Sequence, residues 1–253
     1  VIDLTAIYVL WLREMKRYFR AKSRILGSLA IPFFFLAFLG LGFSGMAVPG
    51  AGGVGYIQFL VPGIVGMSLL FQSIFAGLSV LWDREFGFLK EIMVAPVSRV
   101  SIVLGRTAGG VTTALVQGLL VLLVSSLVGF RVRSAAGVLV ALVFMVLVST
   151  TFIGLGLVFA SKIKDMQGYS IIMNFVVFPL FFLSGALYPL GNLPAWLRVF
   201  SYLDPLTYGV DGLRGALVGV ATRSLGADMG IMAAFAVLMV GLGAWSFERS
   251  ESA

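Results

Sequence analysis

Residues 25–43, 56–82, 107–130, 134–161 and 166–187 contain no Asp, Glu, Lys or Arg. Runs of that length match a hydrocarbon core about 30 Å thick, which takes roughly 20 helical residues to cross. Backbone polar groups in lipid must be paired inside the element that carries them, so each run reads as a helix. A sixth run, 227–247, carries a single acid, Asp228. With 11% charged residues against about 25% in a soluble domain, and 60% hydrophobic, the chain reads as an all-α integral membrane protein. The 253 residues read as a single transmembrane domain of six spans, with no separate soluble domain expected among them.

Charge is concentrated between the second and third spans, in residues 83–106. Asp83, Arg84, Glu85, Lys90 and Glu91 fall within nine residues. Each would cost about 2.5–3.5 kcal/mol at the centre of a span, so the block must emerge on one side of the membrane. Its apolar members Phe86, Phe88, Leu89, Ile92 and Met93 recur at helical spacing, and Pro96 ends the pattern. The stretch Asp83–Glu91 therefore reads as a short amphipathic surface helix, or as an ordinary solvated loop that keeps topology.

Residues 1–24 read as an interfacial helix. Ile7, Tyr8, Trp11, Met15, Tyr18 and Phe19 share one face, and Arg13, Glu14, Lys16, Arg17 and Arg20 the other, basic side outward. A basic tail that only orients the first span is the alternative. The apolar run that follows is too long for a signal peptide. Residues 188–226 are semi-polar and rich in proline (Pro189, Pro194, Pro205), and they read as short re-entrant helices with Tyr188, Trp196, Tyr208, Asp211 and Arg214. Asp204, Asp211 and, just past this segment, Asp228 are expected to keep a wet outer rim soluble or to pair with Arg198, Arg214 and Arg223.

Six spans put both termini on one side. Thirteen of the 18 Lys and Arg fall on that side and five on the other, which makes it cytoplasmic. The +7 charge thus reads as a topology signal rather than a nucleic-acid surface.

The sequence excludes several chemistries. It has no Cys and no His, hence no disulfide, thiol nucleophile, imidazole base or common zinc site. Gly105-Arg106-Thr107 lacks the upstream Gly and the Lys of a phosphate-binding loop. Asp211-Gly-Leu-Arg214 resembles the start of a membrane phosphotransferase motif, but no paired aspartates follow at the required spacing. The span polars Gln72, Gln117 and Asn174 line a pathway or serve as interhelical glue, and glue is favoured for each. The absence of a charge at a span centre argues against an ion-coupled carrier.

Two segments carry a family resemblance. Arg84-Glu-Phe-Gly87, Leu89-Lys-Glu91, Ala95-Pro-Val-Ser-Arg99 and Leu104-Gly-Arg106 resemble the cytoplasmic segment of type-two ABC exporter permeases. Leu183-Ser-Gly-Ala-Leu-Tyr-Pro189, Leu193-Pro-Ala-Trp196, Asp204-Pro-Leu-Thr-Tyr208 and Asp211-Gly-Leu-Arg214 resemble the outer segment of the same family. Asp204 stands where that family often has Asn, and Phe88 where it often has Thr. The likeness is to the drug-resistance and lipo-oligosaccharide branch.

The resemblance implies a transmembrane subunit of an ATP-driven exporter in a prokaryotic cytoplasmic membrane. It implies two permease copies, a homodimer above all, and two separate ATPase subunits that bind the ATP and Mg; this chain would bind no cofactor or metal. Arg84, Glu85, Phe86, Phe88, Leu89, Glu91, Pro96 and Arg99 would form the coupling segment, beside Trp11, Arg13, Arg17 and Arg20 of the interface helix. Gln72, Asn174, Phe178, Phe181 and Phe182 would line the pathway for a drug, lipid or lipid-linked glycan. Gly27, Gly40 and Gly42 of the first span and Gly185 of the fifth would let two copies approach closely. The competing expectations are a secondary transporter without an ATPase partner and a membrane enzyme.

The cysteine-free background makes topology directly testable. Cysteines introduced at Gly52, Ser134 and Gly191 are expected to react with an impermeant thiol reagent from outside, and ones at Ser98 and Gln167 are not. External labelling at Ser98 would overturn the assignment.

Overall fold

The computed structural model describes residues 3–46, 48, 53–86, 98–163 and 165–250. Its elements are α1 (Leu4–Arg20), α2 (Lys22–Phe35, continued by a π-helix Leu36–Leu41), α3 (Tyr56–Glu85), α4 (Arg99–Leu127), α5 (Ala135–Lys162), α6 (Met166–Leu183), α7 (Ala195–Leu203), α8 (Pro205–Val218) and α9 (Leu225–Ser250). Among the described residues five helices are long and apolar enough to cross a membrane. A sixth crossing is reached if α1 and α2, bent 70° from one another, count as one.

Local chemistry sets the starts. Asp3, Ser98, Ser134, Asp165 and Asp204 each cap the amides of the helix that follows, supplying acceptors for donors that otherwise lack one. Pro32 withholds a donor inside α2, and the ladder widens to π geometry shortly after it.

The expected spans are present with shifted ends. α3 runs on to Glu85, past the expected end at 82, and α4 begins at Arg99 rather than 107. α6 stops at Leu183, short of 187, and α9 extends beyond 227–247 at both ends. Residues 188–226 contain a 3-10 turn (Leu190–Asn192), α7 and α8.

The bundle is arranged around α3, which is the most deeply buried of the five long helices. It packs on α2, α4, α5, α6 and α8, while α9 lies against α5 and α8. Gly77 and Gly156 face each other where α3 passes α5. A Cβ at Gly77 would sit 2.8 Å from the Gly156 carbonyl carbon and 2.5 Å from the Tyr169 hydroxyl. That hydroxyl donates to the Ile74 carbonyl at 2.9 Å, so α6 is held to the same point of α3.

α8 is enclosed by α3, α5 and α9. Gly212 lies against the Phe144 ring and Gly209 against Val148, so only glycines fit that face. The left-handed Gly219 (φ 84°) ends the helix.

The glycines expected to seal a dimer differ in role. Gly40 packs internally on Leu60 and Ile57, and Gly185 (φ 74°) forms a turn beside Leu190. Only Gly27 and Gly42 have open space where a Cβ would be.

Candidate functional site

α1 does not lie alone in an interface; it runs lengthwise along α4. Gly105 admits the Ile7 backbone and Leu10, and Gly109 admits Glu14. The Trp11 indole donates to Thr112 Oγ1 at 3.0 Å. Further along, Tyr18 and Ser28 both donate to Gln117 Oε1, at 3.4 and 2.9 Å. Gln117 is therefore glue between α1, α2 and α4, in agreement with the favoured reading of that residue.

The same contact holds the principal ionic feature of the described residues. Arg13 of α1 binds Asp83 of α3 through both nitrogens, Nη1 to Oδ2 at 3.0 Å and Nη2 to Oδ1 at 2.8 Å. Arg106 of α4 places Nη2 2.8 Å from Asp83 Oδ2. The side-chain exposures are 6% for Asp83, 11% for Arg106 and 33% for Arg13. A bidentate Arg–carboxylate pair is the strongest geometry available to these groups. One buried acid thus joins three helices at the place where the chain leaves α3 for residues 87–97.

This corrects two expectations. Asp83 does not open a separate surface helix; with Arg84 and Glu85 it continues α3. Arg13 does not point outward with the basic face of α1; Arg17 pairs with Glu14, and Arg20 is exposed. The sequence signal for the triad was an acid at the end of one span, a lone Arg near the start of the next and a basic helix to meet them.

Beyond α3, Phe86 is 81% exposed. Phe88, Leu89, Glu91 and Pro96 lie outside the described residues, and Arg99 is the first residue of α4.

The expected pathway residues divide. Phe178 is exposed on α6, stacks on Phe182 and meets Phe71 of α3 edge-on at 5.8 Å. Asn174 borders a cavity of about 110 Å³ with Phe71, Phe75 and Tyr169. Gln72 instead faces α2, in a separate space of about 80 Å³ with Ser28 and Gln117. Phe181 is fully buried against Phe35 and belongs to the core. Asn174, Phe178 and Phe182 thus share one outward surface, which Gln72 and Phe181 do not.

At the opposite end, the acids are not a wet rim. Asp204 is buried and accepts from the Leu206 amide at 2.9 Å, with Pro205 opening α8. Burial pushes its carboxyl well above the usual range, against that hydrogen bond. Asp211 accepts from the Thr222 and Arg223 amides at 2.9 and 3.0 Å. Arg214 donates to the carbonyls of Phe59 (3.2 Å) and Gly185 (2.9 Å), with its guanidinium 3.7 Å from the Phe59 ring centre. Burial lowers its pKa to about 10, so it stays charged at neutral pH.

The other residues of this end complete the cap. Tyr208 donates to Tyr202 O, and Tyr188 to Phe182 O. Pro189 precedes the 3-10 turn, Pro194 precedes α7, and Trp196 is exposed. Among the described residues no ion pair joins Asp204, Asp211 or Asp228 to Arg198, Arg214 or Arg223. Asp228 is buried with neither oxygen hydrogen-bonded. Asp204, Asp211 and Arg214 hold the inserted helix instead of wetting it.

Stability should follow exposure within the triad. Asp83→Asn leaves two arginines without their counter-charge and is expected to cost about 3 kcal/mol. Arg13→Gln leaves Asp83 with Arg106 and is expected to cost about 1 kcal/mol. Denaturant unfolding in detergent micelles measures both, and equal losses would contradict the arrangement.

Three known proteins share most or part of this chain. The profile described as ABC-2 type transporter matches residues 5–218. The inner membrane transport permease YadH of Escherichia coli K12 is 30% identical over 236 residues, 92% of this chain and 90% of that one. Nodulation protein J of Rhizobium meliloti is 29% identical over 220 residues, 86% and 83% of the two chains. The putative transport permease ycf38 of Cyanophora paradoxa is 32% identical over 164 residues, 63% and 55%.

Proposed function

Because the chain belongs to the ABC-2 type transporter family, we propose that it is the transmembrane subunit of an ATP-driven exporter and works as two copies with two separate ATPase subunits. It is a multi-pass permease of the cytoplasmic membrane. In this reading both termini are cytoplasmic, and residues 83–99 meet the ATPase. ATP and Mg bind on that partner, whose energy must enter the spans through whatever solid element protrudes toward it.

The observation that carries this reading is the Arg13–Asp83–Arg106 triad. It ties α1, α3 and α4 at the roots of residues 87–97. A push on that segment then reaches two spans and α1 as a single body. Without the tie, the same push would only bend the two helix ends. α3 carries the movement on to α5, α6 and α8, its packing partners.

The cargo is a hydrophobic or amphipathic molecule such as a drug, a lipid or a lipid-linked glycan. Supporting this, Phe178, Phe182, Phe175 and Phe75 present aromatic surface outward, with Asn174 and Ser170 beside the small cavity between α3 and α6. α2 and its π-helical continuation add the exposed Leu26, Phe33, Phe34 and Phe38, and Gly27 leaves open space on the same helix. A second permease copy covers these faces and encloses the route.

Docking on the ATPase should depend on apolar anchoring more than on exposed charge. A rim ion pair contributes about 0–1 kcal/mol, whereas truncating a buried aromatic anchor costs about 2 kcal/mol or more. Phe88→Ala is therefore expected to reduce co-purification and cargo-stimulated ATP hydrolysis more than Lys90→Ala does. Glu85→Ala is expected to lower stimulation without unfolding the permease. If Phe88→Ala changes neither and Lys90→Ala abolishes both, the anchoring model is wrong.

A further inference from the structure

The end of the bundle remote from the triad holds a cavity of about 340 Å³ that coupling to an ATPase does not explain. It opens where α3 begins and α6 ends. Arg198, Arg214 and Arg223 all line it. Among the described residues none of the three has a carboxylate within ion-pair distance. The wall acid, Asp211, has both oxygens engaged by backbone amides. Asp228, close to Asp211, adds a second carboxylate, whose charge also acts on Arg223 without pairing with it.

The three guanidiniums keep unused donors. Arg198 gives Nη2 to the Gly191 and Leu193 carbonyls at 3.0 and 3.1 Å, while its buried Nε has no acceptor. Arg223 lies over the rings of Tyr202 and Tyr208, 5.1 and 4.8 Å from their centres. Those aromatic faces position its charge without consuming its N–H groups. Arg214 keeps Nη1 beyond its bonds to Phe59 and Gly185. A guanidinium fork matches a pair of phosphate oxygens; Arg223 offers its whole fork, and Arg198 and Arg214 each keep Nη1, a set that suits a group with several oxygens rather than a lone carboxylate. The volume falls within the usual range for small-ligand sites, about 300–1,000 Å³.

We propose that this cavity is a phosphate-binding site. The phosphate comes from a phospholipid headgroup or from free phosphate, and Arg198 and Arg223 make the exchangeable contacts while Arg214 is fixed in the wall.

The test uses the full-length permease in maltoside detergent, followed by thermal unfolding. Three probes are titrated: dihexanoyl-phosphatidylglycerol, dihexanoylglycerol without phosphate, and inorganic phosphate. The expected result is a saturable rise in unfolding temperature with the phosphatidylglycerol and none with dihexanoylglycerol. A matching rise with inorganic phosphate assigns the site to phosphate as such; its absence assigns it to the lipid headgroup. The half-saturating concentration should increase about tenfold in Arg223→Gln and in Arg198→Gln, with Arg223→Lys between. No saturable shift with either phosphate probe, an equal shift with dihexanoylglycerol, or half-saturation unchanged in both Gln variants would overturn the proposal.

Discussion

The contact on which the rest depends is the carboxylate of Asp83 held between Arg13 and Arg106. Removing an acid and two arginines from water is costly, and replacing such a cluster by apolar side chains is often neutral for stability. What the cluster provides is position. The bidentate contact from Arg13 fixes the rotation of α1 against α3, and Arg106 fixes α4 against Oδ2 of the same carboxylate. The small residues Gly105 and Gly109 then let α1 lie close along α4, and Trp11, Tyr18 and Ser28 complete the contact through Thr112 and Gln117.

The opposite end is held by different means. α8 enters the bundle as a short helix whose two ends must find partners away from water. Asp204 satisfies its start, and the left-handed Gly219 satisfies its end. Asp211 holds the following loop by its amides, and Arg214 reaches the carbonyls at the start of α3 and the turn after α6. Here the charges are satisfied by backbone dipoles, whereas at the triad they satisfy one another. The first arrangement fixes a cap to the bundle, and the second ties separate helices into one block.

Much of this architecture was legible from hydropathy and spacing. The five uncharged runs correspond to α2 through α6, because the cost of charge in hydrocarbon leaves a plain mark on sequence. Proline and polar residues likewise marked 188–226 as short helices instead of a span. Helix ends were less legible, since α3 and α4 extend past their apolar runs into charged sequence once Asp83 and Arg106 neutralise each other. Counting Asp83 as a surface charge and Asp211 and Arg214 as a rim followed from reading each residue alone. Their burial depends on partners 70 positions away, for Arg13 and Asp83, or 155, for Phe59 and Arg214. Phe181 and Phe182 illustrate the same limit: one faces the core and its neighbour faces outward, and composition does not distinguish them.

In the proposed transporter α1, α3 and α4 move as one block when the ATPase acts. In the absence of native cysteine, a single disulfide tests it. Leu10 and Gly105 face each other, with the Leu10 Cβ 3.0 Å from where a Cβ on Gly105 would lie, about half an ångström inside the separation a disulfide spans, so the pair can close once α1 gives way by that much. Leu10→Cys with Gly105→Cys should oxidise in the assembled transporter, and cargo-stimulated ATP hydrolysis should be the same oxidised and reduced. Stimulation lost on oxidation and recovered on reduction would mean that α1 must separate from α4 during the cycle, and the account of a single block would be wrong.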